Sequence, residues 1–547
     1  MARAAEKGRA RASTPDQGAT SFSPVEYLLL YGAYLGALLL VYQPALSGDF
    51  ISDDLHYVLN NVYVHTLSLE NVLAILEPYG GSTIAVVNYA PVQMLLHSLA
   101  WQLFGPEVLG HHVLNLLFHA AGSLLLVPLF VRSGLPRAAA LMGSALFLLH
   151  PANVEAVAWI SQLKTNSALC LGLLAVLAHP RRPALALLLF ALALLAKPNA
   201  AVALPIAAWL EWSREGRLRK PWWIAWALVF AVFAVVEFTA HQRSGVAETT
   251  LYDHPLVLLR TMAGLATRYA VLGYTSYGTS AFHETEPAWS WLDPWWLASL
   301  PLLGVLAWRL VSTLRGRRPE AAWWLCALVS FGPVSQIFPF LFPFADRYLY
   351  FILPGLLGGA LLAGRDAMEA LPALRARREW LARAALAGAV LLAVVFAFRS
   401  HERAGIWRSA AFVTADAAKH YPDGVSASLQ RARAAALVRD ADTAVAEIRH
   451  AMGRGYNRFE QLLQDPGFEP IRHTAAFQGV LRDTAQVWID AAKDWDSPTQ
   501  IELHRIASAH VVRGEIPEAI ALLRRALAQG GPIDETVRND LAALGAL

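Results

Sequence analysis

Two adjacent aspartates, Asp53 and Asp54, stand in the stretch FISDDLHYVLNN, within a segment from 49 to 88 that contains no lysine or arginine. Each anion raises its neighbour's proton affinity, so such a pair suits general-base work: one carboxylate takes a proton from an attacking hydroxyl while the other orients it. The same residues would equally serve to cap a short helix beginning near Leu55, and spacing alone favours neither use. A second set is basic or imidazole: His111, His112, His119, His150, Lys164, Lys197, Arg268 and Arg347. Cations gathered at one place neutralise a phosphate or pyrophosphate leaving group without a metal. Taken singly, each is as well explained by a long side chain reaching to lipid headgroups, and Asp346 with Arg347 by a local ion pair. His119 lies deeper in an apolar run and reads as a packed core histidine. No HExxH spacing and no glycine-rich phosphate loop occurs.

The elements that must position these residues are membrane helices. Charged residues make up 16% of 547 and apolar residues 56%, with a net charge of +3; ordinary soluble domains carry roughly 25% charge. The near-neutral balance excludes a basic nucleic-acid-binding surface, and the apolar residues are gathered into runs such as 27–42 and 384–398. Cys170 and Cys326 both lie inside apolar runs, which excludes a disulfide scaffold and a cysteine metal site.

Basic clusters at Arg132/Arg137, Arg181/Arg182, Arg214 to Lys220, Arg315 to Arg318 and Arg375 to Arg378 alternate with segments lacking such clusters. Because short cytoplasmic loops collect Lys and Arg, this alternation predicts about eleven spans, a polar cytoplasmic tail over 1–23, and everything after Arg399 outside. Two apolar stretches, 89–104 and 256–273, fall in segments placed outside and carry polar residues at helical spacing. They are predicted to be interfacial or re-entrant, and counting either as a span would invert the later topology. With the exception of His119, the second set then falls near the outer ends of helices, where the phosphate in question would be lipid-linked.

From Trp407 the composition becomes that of soluble helix. Residues 499–532 have the spacing of a tetratricopeptide hairpin, with Ala507, Gly514, Ala519, Ala526 and Leu527 at its small and closing positions. A degenerate copy places Ala444 and Ala451 similarly, with a distorted unit between them. The predicted organisation is therefore all-α: a polytopic domain over 24–398 and a short helical solenoid over 399–547.

The motif order resembles the transmembrane and tetratricopeptide-repeat O-mannosyltransferases and their bacterial relatives, of the GT-C superfamily of integral-membrane glycosyltransferases. The matching pieces are SDDLHYVLNN (52–61), NYAPVQMLLHSLAWQLFGPEVLGHHVLNLLFH (88–119), LFLLHPANVEAVAWISQLK (146–164), LLAKPNAAVALP (194–205) and FGPVSQIFPFLFPFADRYLY (331–350), followed by the repeats. The resemblance implies a GT-C fold in a bacterial inner membrane, an extracytoplasmic active site and a polyprenyl-phosphate-linked sugar donor. It places the base or its organiser on Asp53 or Asp54, with Asp54 slightly preferred. The family's His-Pro…Glu…Trp run looks like His150, Pro151, Glu155 and Trp159, its Lys-Pro like Lys197 and Pro198, and its Ala-Asp-Arg-Tyr-Leu-Tyr like residues 345–350. This chain departs from the family at Leu163-Lys164-Thr165, where Arg-Lys-Asp is common, and at Ala196, and its repeat array is short.

The expected activity is an inverting transfer of sugar to a hydroxyl. Asp54 or Asp53 acts on the proton, and Lys197, Arg347, Arg268, Lys164 and His150 face the phosphate. Glu155, His112, Asp346 and Tyr348 support them. The expected partners are the lipid-linked donor, a protein Ser/Thr or glycan acceptor held by the repeats, and the bilayer, with no nucleic acid. No cofactor is implied, and a divalent cation is left open. The repeats are expected to be dispensable for chemistry but not for acceptor choice. Two other readings are a GT-C enzyme modifying a lipid or surface glycan, and a non-enzymatic membrane-anchored repeat scaffold for envelope assembly.

Overall fold

The computed structural model describes residues 22–86, 88–243, 254–337, 343–493, 498–531 and 533–547. The predicted polar tail lies almost wholly outside them. Among the described residues there are helices and no strands.

Eight helices are long and apolar enough to cross a membrane, and three shorter apolar ones, Arg137–Leu148, Pro183–Ala196 and Ala321–Val334, accompany them. Their boundaries follow local chemistry. Ser23 and Glu26 form a reciprocal capping box ahead of Pro24–Val41, and Asp293 accepts from the amides of Trp295 and Trp296 at the start of Pro294–Arg315, satisfying donors that have no partner inside the helix. Proline opens four further helices at Pro91, Pro183, Pro255 and Pro372, where its missing N–H is no loss. Pro24–Val41 and Arg378–Ala404 leave Leu28, Leu29, Leu40, Leu391, Val394 and Phe398 exposed, which suits lipid rather than water.

One end of the bundle is tied by basic side chains. Arg137 pairs with Glu26, Arg132 donates to Leu177 O, Arg214 to Arg132 O, Trp209 to Arg318 O, and Arg365 to Gly134 O. Arg219 and His179 both bind Glu211. Arg309 binds Glu320 and Asp366, and Arg318 joins it on Asp366. These contacts gather helix ends from Pro24 to Ala370 at one level, which is the arrangement the alternating basic clusters predict.

The opposite end collects Tyr42, His150, Lys164, Lys197, Asp346 and the end of Arg378–Ala404, where Ser400 donates to Leu149 O. The 21-residue helix Pro255–Thr275 is apolar enough to cross, where sequence predicts an interfacial or re-entrant segment. The preceding helix reaches this same end, where Glu237 accepts from the Tyr89 amide, and Gly264, midway along Pro255–Thr275, abuts Trp295 at the start of the next helix. Two other helices that bear on the span count belong to neither the crossing set nor the three shorter apolar ones. Pro91–Phe104, over the other segment read as interfacial, has 14 residues, and Ala203–Glu215, which the alternation counts as a span, has 13.

The core runs continuously through Phe130, Phe147, Phe190, Trp323 and Tyr350. Helix Leu349–Ala370 approaches Ala321–Phe331 through Gly355, Gly358 and Gly359. A Cβ at Gly358 would stand 2.5 Å from the Trp323 ring, and one at Gly359 2.6 Å from the Trp324 ring. His119 accepts from the Tyr350 hydroxyl at 2.8 Å and donates to Leu148 O, a satisfied core histidine.

The C-terminal region forms two helical hairpins, Val425–Leu437 with Ala441–Gly453 and Gln500–Arg513 with Ile516–Gln529. Ala444, Ala451, Ala507, Ala519 and Ala526 are fully buried at their crossings. Gly514 ends its helix at φ 82°, a left-handed conformation that favours glycine. Between the hairpins, Phe459, Phe468 and Phe477 fill a core of their own.

Candidate active site

Asp53 and Asp54 have separate fates. After Ser52, held at φ 52°, the chain enters a single π-helical turn, Leu55–Leu59, a geometry that recurs at functional sites. Asp54 stands at the start of that turn but does not cap it. Its Oδ2 accepts from the Ile51 amide at 3.1 Å. Its Oδ1 accepts from the Ser161 amide at 2.7 Å and from the Ser161 hydroxyl. The side chain is fully buried, and burial pushes its pKa up to about 7 despite these three donors. Asp54 is thus a strut between the loop and the Ile160–Gln162 turn. Asp53 is only partly buried, and its carboxylate has no hydrogen bond or ion pair among the described residues. Sequence slightly prefers Asp54 as the base; here Asp54 is buried and holds three donors, while Asp53 is the more accessible of the two.

The charge of Asp53 acts on Arg347, and Arg347 and Lys164 act on Lys197, so cations from three helix ends share this neighbourhood. The Lys164 ammonium donates to the Tyr57 hydroxyl at 3.0 Å and lies 4.5 Å from that ring's centroid. Tyr57 is itself pinned, donating to Val86 O and accepting from Asn88. Lys197 donates to Thr165, which donates to Gln162. Burial, then the like charges of Lys164 and Arg347, hold its ammonium well below the usual lysine range. Arg347 donates from its backbone amide to Glu155 at 2.7 Å and pairs with the same carboxylate through its guanidinium. It also donates to the Tyr348 hydroxyl and lies 5.4 Å from the Trp159 centroid. The charge of Asp53 acts on Arg347 and on His56. Arg347 therefore pairs with Glu155 rather than with its neighbour Asp346.

Three other candidates are placed elsewhere. His150 is buried between the Ala152 amide, whose proton it accepts, and Gly273 O, to which it donates, with its ring edge-on to Phe396. With both nitrogens engaged and its pKa pushed down to about 3 by burial, it is a neutral structural histidine, not a phosphate ligand. Arg268 stacks over Trp295, 4.6 Å from its centroid, on a different helix pair. His112 is buried with Nε2 unpartnered among the described residues.

Asp346 turns away from the cations. Its carboxylate accepts from His283 Nε2 at 2.7 Å, and His283 Nδ1 meets the Tyr421 hydroxyl at 2.9 Å. Sequence reasoning missed Ser161, Tyr57, Thr165 and His283. Tyr57 lies four residues after Asp53 and Ser161 lies in the quoted AVAWISQLK stretch, so both were within sight; His283 carries no motif. Among the described residues, no three His, Cys, Asp or Glu side chains come together in a way that would hold a metal ion.

Among the described residues, the site joins the unpartnered Asp53 carboxylate to Arg347 and, through it, to Lys164 and Lys197 at one end of an apolar bundle, groups of the kinds that deprotonate a hydroxyl and neutralise a phosphate. No family model matches the chain. It is similar to Protein O-mannosyl-transferase F38B6.6 of Caenorhabditis elegans, with 23% identity over 347 residues, covering 56% of this chain and 47% of the relative. The chain thus spans about half the length of the curated relative it matches.

Proposed function

We propose that the chain is an inverting GT-C-type glycosyltransferase of the cytoplasmic membrane, moving a sugar from a polyprenyl-phosphate donor to a protein hydroxyl on the extracytoplasmic face. The observation that carries this reading is the Asp53 carboxylate, without a side-chain partner among the described residues, acting on Arg347, which shares its neighbourhood with Lys164 and Lys197. In the proposed mechanism Asp53 takes the acceptor's hydroxyl proton as the oxygen attacks the anomeric carbon. The bond to the donor phosphate breaks on the opposite face, which inverts the centre. Arg347, oriented by Glu155, and the two lysines receive the charge that grows on the departing lipid phosphate. Asp54, Tyr57 and Ser161 hold the loop in place.

The Arg132, Arg219 and Arg318 end of the bundle supports a cytoplasmic assignment, and with Pro255–Thr275 re-entrant the chain crosses eleven times. The C-terminal hairpins then act as a tetratricopeptide-like acceptor platform. The test is transfer from a polyprenyl-phosphate sugar to a serine- and threonine-rich peptide by the reconstituted protein. Donor-dependent product in the wild type, and its loss in Asp53→Asn with donor binding intact, supports the reading. Equal product from Asp53→Asn refutes it.

A further inference from the structure

The loop 276–286 lies between the C-terminal helices and the cation site and binds both. Towards the C-terminal region, Glu284 accepts from the Val425 amide at 2.6 Å and the Ser426 amide at 3.2 Å, anchoring the first turn of Val425–Leu437. Asp416 accepts from the Ala281 amide at 2.7 Å. Arg403 stands between Asp416 at 3.6 Å and Asp346 at 3.7 Å and donates to Thr279 O. Towards the site, His283 joins the Tyr421 hydroxyl to Asp346, and both His283 and Asp346 are buried. Its ring also packs edge-on against Phe344, which precedes the Asp346–Tyr348 turn.

That turn is therefore gripped from two sides. Glu155 holds Arg347 through both its amide and its guanidinium, and His283 holds the adjacent carboxylate. We propose that His283 is a positioning residue that couples the C-terminal helical region to the phosphate-binding setting of Arg347, so that seating of Tyr421 on His283 keeps the Asp346–Tyr348 turn in register for the donor. This rests on the proposed function. Among the described residues Asp346 has His283 as its one close partner and Arg403 at 3.7 Å; without His283 the buried carboxylate is left short of counter-charge and its segment re-sites. A shift of about 1 Å in a binding group is enough to cost most of its effect.

The test uses the full chain in detergent with farnesyl monophosphate, a lipid phosphate without sugar, as the probe. Tyr421→Phe removes one hydroxyl far from the donor and leaves the apolar packing in place. It is expected to weaken probe binding roughly threefold to tenfold in the wild-type background. In the Arg347→Lys background, which keeps the charge but loses the paired grip on Glu155, the same substitution is expected to cost less than about twofold, because the two act on one element. In a Lys164→Met background its cost should be undiminished. His283→Gln, which keeps a donor towards Asp346, should retain more affinity than His283→Ala. Equal losses from Tyr421→Phe in all three backgrounds, or no loss in the wild type, would overturn the coupling. Failure of the wild type itself to bind the probe would instead count against the lipid-phosphate donor and so against the proposed function.

Discussion

The two ends of the bundle use their charged side chains in opposite ways. At the end rich in arginine, carboxylates are saturated: Asp366 receives Arg309, Arg318 and Arg365, and Glu211 receives both Arg219 and His179. At the other end, among the described residues, Asp53 has no side-chain partner, while Lys164 and Lys197 donate only to hydroxyls. A lysine that spends its charge on a neutral hydroxyl is held in reserve for an anion. Saturated charge fastens helices; unsaturated charge waits for a ligand.

The largest effect should come from Asp53→Asn, which keeps shape but removes proton affinity: turnover is expected to fall roughly 10²–10⁴-fold. Asp366→Asn at the saturated end should leave turnover unchanged and lower the melting temperature. Comparable losses of activity from both would erase the contrast. Next, Glu155→Gln breaks a pair whose acid is buried, so a destabilisation of roughly 3–5 kcal/mol is expected in thermal or denaturant unfolding, together with weaker donor binding.

A smaller effect, and a sharper one, concerns Lys197. An anion beside it favours its charged form, so donor binding should take up a proton, and affinity should fall as pH rises through the depressed lysine pKa. Lys197→Met should bind more weakly and lose that pH dependence. Calorimetry in two buffers of different ionisation enthalpy measures the proton directly.

The smallest effect belongs to Asp54. Its folded-state pKa is raised to about 7, so the folded protein holds the proton more tightly than the unfolded chain. Its contribution to stability is complete below the ordinary carboxylate range and is lost as pH rises through about 7. Asp54→Asn should flatten the melting temperature against pH between about 4 and 7. An unchanged slope would mean that the three donors, not burial, set its charge.

Much of this was legible in the sequence. The arginine clusters marked several helix ends that meet in the structure, because a short loop's charge is a local property, and Ala507, Ala519 and Ala526 announced a helix crossing because only small side chains fit there. The acid pair, Lys164, Lys197 and Arg347 were also visible as candidates. What could not be seen was which groups were already taken. Asp54 finds its donors on Ser161, 107 residues away, and His150 is spent on Gly273 O, 123 residues away. Nor did composition show that the C-terminal region reaches into the site. Trp407 stacks on Trp159 at 5.5 Å and Arg408 O receives the Asp49 amide, so removing 407–547 would strip the floor from the Asp53 loop. The expectation that these residues are dispensable for chemistry does not fit that contact.

The glycine face of Leu349–Ala370 has a consequence for how such a site can change. With Trp323 and Trp324 keyed against Gly358 and Gly359, the helix that presents Arg347 has no room to slide or roll along its neighbour. The helix that follows Arg347 is thereby a fixed datum, and only the Asp346–Tyr348 turn ahead of it is set by Glu155 and His283. Any widening to admit a bulkier sugar, whether selected in nature or engineered, falls to the 49–59 loop, where one π-helical turn and one left-handed serine leave slack that the helix does not have.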